Sequence, residues 1–190
     1  MLTPGTLEPA FRIYWDDMQR CRQAKAYWSL LHITTCLPDI CAALQTDTGD
    51  TTGRNKALYI EWCDQYLPDP LLSGPERYQM RCRVLHQGRA QADPGGRYTG
   101  FAFVEPAATG EVYHKRIDNT TLVVDVGQLA DEVRSGVGRW IGTLEGNPAT
   151  DAAKNTERNL PSLVRVRQFS LPRPPGVPLH VITPIINRTS

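Results

Sequence analysis

The chain has 190 residues, of which 41 % are hydrophobic and 22 % charged, and its formal net charge is +1. That suits one globular domain, or a domain with a tail, able to bury a core without disulfides or a structural metal. The near-neutral balance excludes a globally basic nucleic-acid binder, so any such role must rest on a local patch, and the lack of a run of about 18 apolar residues excludes a membrane-spanning helix.

The N-terminal stretch Met1-Leu-Thr-Pro-Gly-Thr-Leu-Glu-Pro9 has no basic region and no apolar run. It does not read as a signal peptide, and a cytoplasmic protein is expected. From Leu7 to Leu37 the apolar residues Phe11, Tyr14, Trp15, Met18, Cys21, Tyr27, Trp28 and Leu31 recur at three- and four-residue spacing, which predicts a helix. Pro38 should end or kink it, so Pro38-Asp-Ile-Cys-Ala-Ala-Leu44 is either a short second helix or a continuation of the first. Thr46 to Gly53 is a loop by composition. A further helix is predicted from Arg54 to about Leu67, with Leu58, Trp62 and Tyr66 on one face, stopped by Pro68-Asp-Pro70.

The next segment carries two conflicting signals. Tyr78-Gln-Met-Arg-Cys-Arg-Val84 alternates apolar and polar residues, as a strand does. Ser73-Gly-Pro-Glu76 upstream is a capping box with proline in the first turn, and Gly88 suits the left-handed position past a helix end. Caps at both ends decide for a helix from Ser73 to Gln87. Tyr98 to Glu105 reads as a strand, and Glu111–Ile117 and Thr120–Val126 read as a hairpin around Asp118-Asn119. A helix from Gly127 to about Leu144 follows, with Leu129, Val133, Val137, Trp140 and Leu144 on one face. Gly146 to Asn159 reads as a polar linker and Leu163 to Phe169 as a strand. The tail from Leu171 holds Pro172, Pro174, Pro175, Pro178 and Pro184, and should be extended, packed along the body or awaiting a partner. The expected fold is α+β and mainly α: four to five helices with a small antiparallel β element. The helical core would span 1–146 with its β insertion at about 97–126, and residues 147–190 would be linker and tail.

Five cysteines, Cys21, Cys36, Cys41, Cys63 and Cys82, form no C-x-x-C pair and are expected as free thiols. His32 and Cys36 stand four residues apart, with Cys41 nearby, but nothing completes a zinc set, so they read as core residues. His114 and His180 are expected on the surface. Among Asp39, Glu61 and Asp64, carboxylates beside apolar helix faces, one is a candidate partner for Arg81 or Arg83. No phosphate loop and no nucleophile elbow is present.

Charge is uneven. Between Arg77 and Arg97 there are five arginines (Arg77, Arg81, Arg83, Arg89, Arg97) and one acid, Asp93. Inside this region Arg81-Cys-Arg-Val-Leu-His86 resembles the R-x(4–6)-H motif of the HEPN superfamily. The resemblance covers the motif and the helices around it, roughly residues 7 to 145. It implies a HEPN-like bundle and a metal-independent endoribonuclease without cofactor, acting as a homodimer on RNA. A toxin or phage-defence setting with an antitoxin or effector partner goes with it. Arg81 and His86 would be catalytic, and the neighbouring Arg77, Arg83 and Arg89 are expected to bind substrate. The residue after the arginine, commonly Asn, Asp or His in the family, is Cys82 here. That favours the alternative, a non-catalytic HEPN-like module binding RNA or protein.

The chemistry asked of these two residues is simple. A guanidinium stabilises charge on the phosphoryl oxygens as the 2′-hydroxyl attacks, and an imidazole near neutrality moves the proton. Five helical residues turn through about 500°, so Arg81 and His86 point roughly 140° apart. One helix does not aim both at one phosphate; two helices across a dimer axis can.

Overall fold

The computed structural model describes residues 2–88, 90–92, 95–106 and 113–163, with the backbone alone for His86 and Gln87. Arg89, the strand expected beyond Leu163 and the proline-rich tail with His180 lie outside the described residues.

The first expected helix is two. Helix α1 spans Glu8–Gln23 and α2 spans Tyr27–Gln45. The break is a Schellman closure: Lys25 is left-handed at φ 53, the Ala26 amide donates to the Cys21 carbonyl at 2.8 Å, and the Lys25 amide donates to that of Arg22 at 3.1 Å. Glycine usually announces this turn; here lysine occupies it, and apolar spacing runs on either side. Conversely, Pro38 does not end α2. It is buried inside the helix, deprives the Thr34 carbonyl of its N–H partner, and the helix continues through it. Packing outweighs that loss, because α2 is the central helix and contacts every other one.

Helix α3 covers Asn55–Tyr66, with Tyr59, Trp62, Cys63 and Tyr66 buried. Helix α4 covers Gly74–Gln87, so the segment with strand-like alternation is helical. Its capping box is formed: the Ser73 amide donates to Glu76 Oε2 at 2.7 Å, and Gly88 closes the helix at φ 56. Gly74 is required by close approach, since a Cβ there would lie 2.7 Å from the Ile60 carbonyl oxygen and 2.6 Å from Asp64 Oδ1.

Strands β1 (Gly100–Val104), β2 (Arg116–Asp118) and β3 (Thr121–Asp125) form a sheet in the order β1-β3-β2. The hairpin β2–β3 is antiparallel as expected, with Asn119 left-handed at its turn. The wholly antiparallel element is corrected: β1 pairs parallel with β3, from Gly100 opposite Thr121 to Val104 opposite Asp125. Helix α5 (Val126–Gly146) follows β3 directly, capped by Asp125, whose Oδ1 accepts the Gln128 amide at 2.9 Å. Leu129, Val133, Val137, Trp140 and Leu144 are all buried, as the spacing predicts.

The expected polar linker is corrected as well. Asp151–Asn159 is a helix, α6, capped by Thr150, and a short 3-10 turn follows at Leu160–Ser162. Its inner face is Ala153, Thr156 and Asn159, too small or polar to register as an apolar stripe. Asn159 Nδ2 donates to the Leu44 and Thr46 carbonyls at 3.1 and 2.7 Å, satisfying the end of α2.

All five cysteines are free. Burial raises the thiol pKa of Cys21, Cys36 and Cys41, and pushes Cys63 up to about 12. A thiol titration in denaturant without reductant is therefore expected to count five; a count of three would reveal a disulfide.

Candidate functional site

Helix α4 has an inner and an outer line. Arg77, Met80 and Val84 are buried, while Tyr78, Arg81, Cys82 and Leu85 are half-buried along the outer edge. The inner residues are three and four apart, and Tyr78 with Arg81 or Cys82, and Leu85 with either, are likewise three or four apart, the repeat of one helix face. The strict alternation in the sequence is incidental to both.

Arg81 lies on the outer line and meets α2. Its Nε donates to Asp39 Oδ2 at 2.7 Å, and the two side chains are 15 % and 20 % exposed. Its Nη1 lies 3.7 Å from Cys82 Sγ, and its guanidinium carbon is 5.9 Å from the centre of the Tyr78 ring. Burial disfavours the charge, but Asp39 and the contacts to Cys82 outweigh it, so the Arg81 pKa is raised. Asp39 is thus the carboxylate that meets Arg81, among the three candidates. Asp64 instead accepts the Gly74 amide at 2.8 Å and helps start α4.

The other expected site residues are spread. His86 is in the last turn of α4, one residue before its end. Arg83 is half-buried on the same helix. Arg77, expected at the substrate, is in the interior: it is 2 % exposed, and its Nη2 donates to Glu132 Oε2 of α5 at 3.1 Å. The bundle therefore uses Arg77 to tie α4 to α5, which takes it out of any surface patch with its neighbours.

Arg77 belongs to a polar cluster with no local signature in the sequence. Glu132 also accepts from His114 Nε2 at 3.1 Å and from Lys115 Nζ, and Lys115 reaches Asp69 Oδ2 at 2.5 Å. His114 is thus not a surface residue; its side chain is 8 % exposed. Lys115 is left-handed at φ 61, a conformation a non-glycine residue keeps only when its surroundings hold it there. These residues come from α4, α5, the 67–73 loop and the turn before β2, so they lock the sheet to the bundle. A cavity of about 330 Å³ opens beside them, lined by Arg77, Lys115, Glu132, Ser135 and Arg139 among others.

Glu132 opens an acid-sensitive window. Burial works against its charge, but His114, Lys115 and Arg77 hold its pKa down to about 2, against an ordinary 4.5. A depressed carboxylate contributes stability that is present above its unfolded value and lost as pH falls through the folded one. Burial likewise works against the Asp69 charge, and the hydrogen bonds from Lys115 and the Leu71 and Leu72 amides outweigh it, lowering its pKa in the same sense. The melting temperature of the wild type should fall more steeply than that of Glu132→Gln between pH 4.5 and about 2. Parallel profiles would show that the carboxylate is not stabilised by its partners.

A larger cavity, about 630 Å³, lies elsewhere, among α2, α3, α5 and α6, lined by Glu61, Trp62, Gln65 and Asn147 among others. It includes no residue of α4. Among the described residues no group of three or more His, Cys, Asp or Glu is placed to hold a metal. No helix among them is long and apolar enough to cross a membrane.

Comparison with protein-family models, with curated proteins and with solved structures finds no match to the chain.

Proposed function

We propose that the chain is a metal-independent endoribonuclease of HEPN type, acting as a homodimer, with Arg81 and His86 as its catalytic pair. The observation that carries this reading is the Arg81–Asp39 contact. A guanidinium that must meet a developing phosphoryl charge works best when it is held beforehand. Asp39 fixes Nε, and the arginine stays partly exposed at the outer edge of α4. His86, in the last helical turn, supplies the imidazole that would donate a proton to the leaving 5′-oxygen. The angular separation of the two residues makes the second copy part of the site. A toxin or phage-defence setting, with an antitoxin or effector as partner, follows from the resemblance.

A second reading draws on the same contact. Asp39 offsets the charge of Arg81, and Arg77 is committed to Glu132, which leaves α4 less able to attract phosphate. On that reading the helix is a non-catalytic surface for RNA or protein. The deciding experiment incubates RNA with wild type and with His86→Ala in EDTA, alongside sedimentation equilibrium. Cleavage by a wild-type dimer that His86→Ala loses supports the enzyme. Equal cleavage by both would identify a contaminating nuclease and remove the ribonuclease reading, and a monomer would remove the composite site.

A further inference from the structure

Helix α2 turns its buried residues Leu30, Leu31, Thr34, Thr35, Leu37, Pro38, Cys41 and Ala42 into the bundle. On the other side, flanked by Ser29, Ile33 and Ile40, a strip is left accessible: Trp28, His32, Cys36 and Asp39. Their spacing of four, four and three keeps them on one face, and Trp28 and Asp39 are about 16 Å apart along the axis. Asp39 is the residue that holds Arg81. The line therefore runs straight from the proposed catalytic arginine to Trp28.

Trp28 is the most exposed large hydrophobic residue described, at 54 %. It is also braced. The His32 ring meets it edge-on, with centroids 4.5 Å apart at 71°, and His32 Nδ1 donates to the Trp28 carbonyl at 2.8 Å. An indole held on one side and open on the other offers a flat π surface whose rotamer freedom is already reduced. The bond through Nδ1 leaves His32 Nε2 without a partner among the described residues. Three residues before Trp28 stands Lys25, exposed, and its ammonium makes no hydrogen bond or ion pair among the described residues.

We infer that Trp28 and His32 form a nucleobase-stacking subsite, and that a single-stranded RNA lies along α2 from Lys25 and Trp28 to Arg81. The inference rests on the ribonuclease reading and gives its substrate a strand form and a path. Single-stranded RNA fits this face better than a protein does. The indole stands against the imidazole of His32, the exposed Ser29 and Lys25 are its near neighbours in the chain, and a cation lies at each end of its path, Lys25 at one and the Asp39-paired Arg81 at the other. Stacking needs only a π face on the base, so the subsite tolerates any sequence, while the cations follow the backbone.

The test uses the full chain and a short single-stranded RNA, fluorescently labelled and 2′-O-methylated so that binding is read without cleavage. Trp28→Ala should weaken binding about 5- to 150-fold, the size of one base–aromatic stack, with the slope of log affinity against log salt unchanged. Trp28→Phe should recover most of the loss. Lys25→Ala should instead reduce the salt slope. Equal affinity of Trp28→Ala and wild type overturns the subsite. So does a fall from dimer to monomer in Trp28→Ala with undiminished affinity, which would make the indole a contact between copies. If the wild type cleaves RNA while Trp28→Ala binds normally, the subsite falls and the ribonuclease stands. If the wild type binds no RNA, both fall.

Discussion

Replacing Arg81 or His86 with Ala is expected to lower RNA cleavage by at least about 10²-fold each, the low end for removing an acid–base or charge-stabilising group. The measurement is the initial rate on a defined single-stranded RNA with EDTA present, together with melting temperature and sedimentation mass to show that fold and dimer persist. The two substitutions should differ in pH behaviour. Loss of the imidazole removes a limb of the pH–rate profile near neutrality, whereas loss of the guanidinium lowers the whole profile without changing its shape. Asp39→Ala should cost less than Arg81→Ala, because it frees the guanidinium without removing it. Arg83→Ala should act on binding, weakening it at all sequences and lowering the salt slope by about one, as a phosphate contact does. Rates within a factor of about three of wild type for both Arg81→Ala and His86→Ala would reject the pair as catalytic.

Glu132→Ala is expected to be the most damaging change outside the apolar core. It would strip the counter-charge from Arg77, which is 2 % exposed, take one of two carboxylates from Lys115, which keeps Asp69, and leave the 8 % exposed His114 side chain without its acceptor. Removing one partner of a buried pair typically costs about 3–5 kcal/mol. The Glu132 side chain is itself 29 % exposed, so about 3 kcal/mol is the expected loss, measured by urea unfolding at neutral pH. Arg77→Met should cost less than half of that, because it leaves no cation buried without a partner and keeps most of the volume. A loss below about 0.5 kcal/mol for Glu132→Ala would place it with ordinary surface substitutions and show that the cluster does not hold the sheet to the bundle.

The two sets of residues differ in how far the chain betrays them. Arg81 and His86 share a helix, so their spacing and the caps around them are local and legible. Asp39 was one of three candidates for Arg81, because periodicity places a carboxylate on a helix face but does not say which helix that face meets. His114, Lys115, Asp69 and Glu132 carry no shared pattern at all. Their separations along the chain, 46 residues between Asp69 and Lys115 and 17 between Lys115 and Glu132, are set only when the sheet docks on α5. Trp28 reads as one more core residue of a periodic helix, and only the packed bundle shows that its side of α2 is left uncovered.

What the sequence determined by itself is whatever short-range chemistry decides. The capping box at Ser73 and Gly88 made α4 a helix against its own alternation, since satisfied end groups outweigh a pattern of side chains. The hairpin formed one residue on from the expected turn, at Asn119-Thr120 rather than Asp118-Asn119, and the apolar stripe of Leu129 to Leu144 made α5. Tertiary structure decided the rest. It let α2 run through Pro38, because burial of that proline with the inner face of the helix offsets one missing hydrogen bond, and it ended α1 at a lysine rather than a glycine. It turned a polar stretch into α6, since Asn159 finds the open carbonyls of α2. It drew Arg77 inward to Glu132 while leaving Arg81 at the edge. Two arginines four residues apart on one helix thus received opposite fates, because the elements that reach them, α5 for one and Asp39 of α2 for the other, are chosen by packing and not by anything in their immediate neighbourhood.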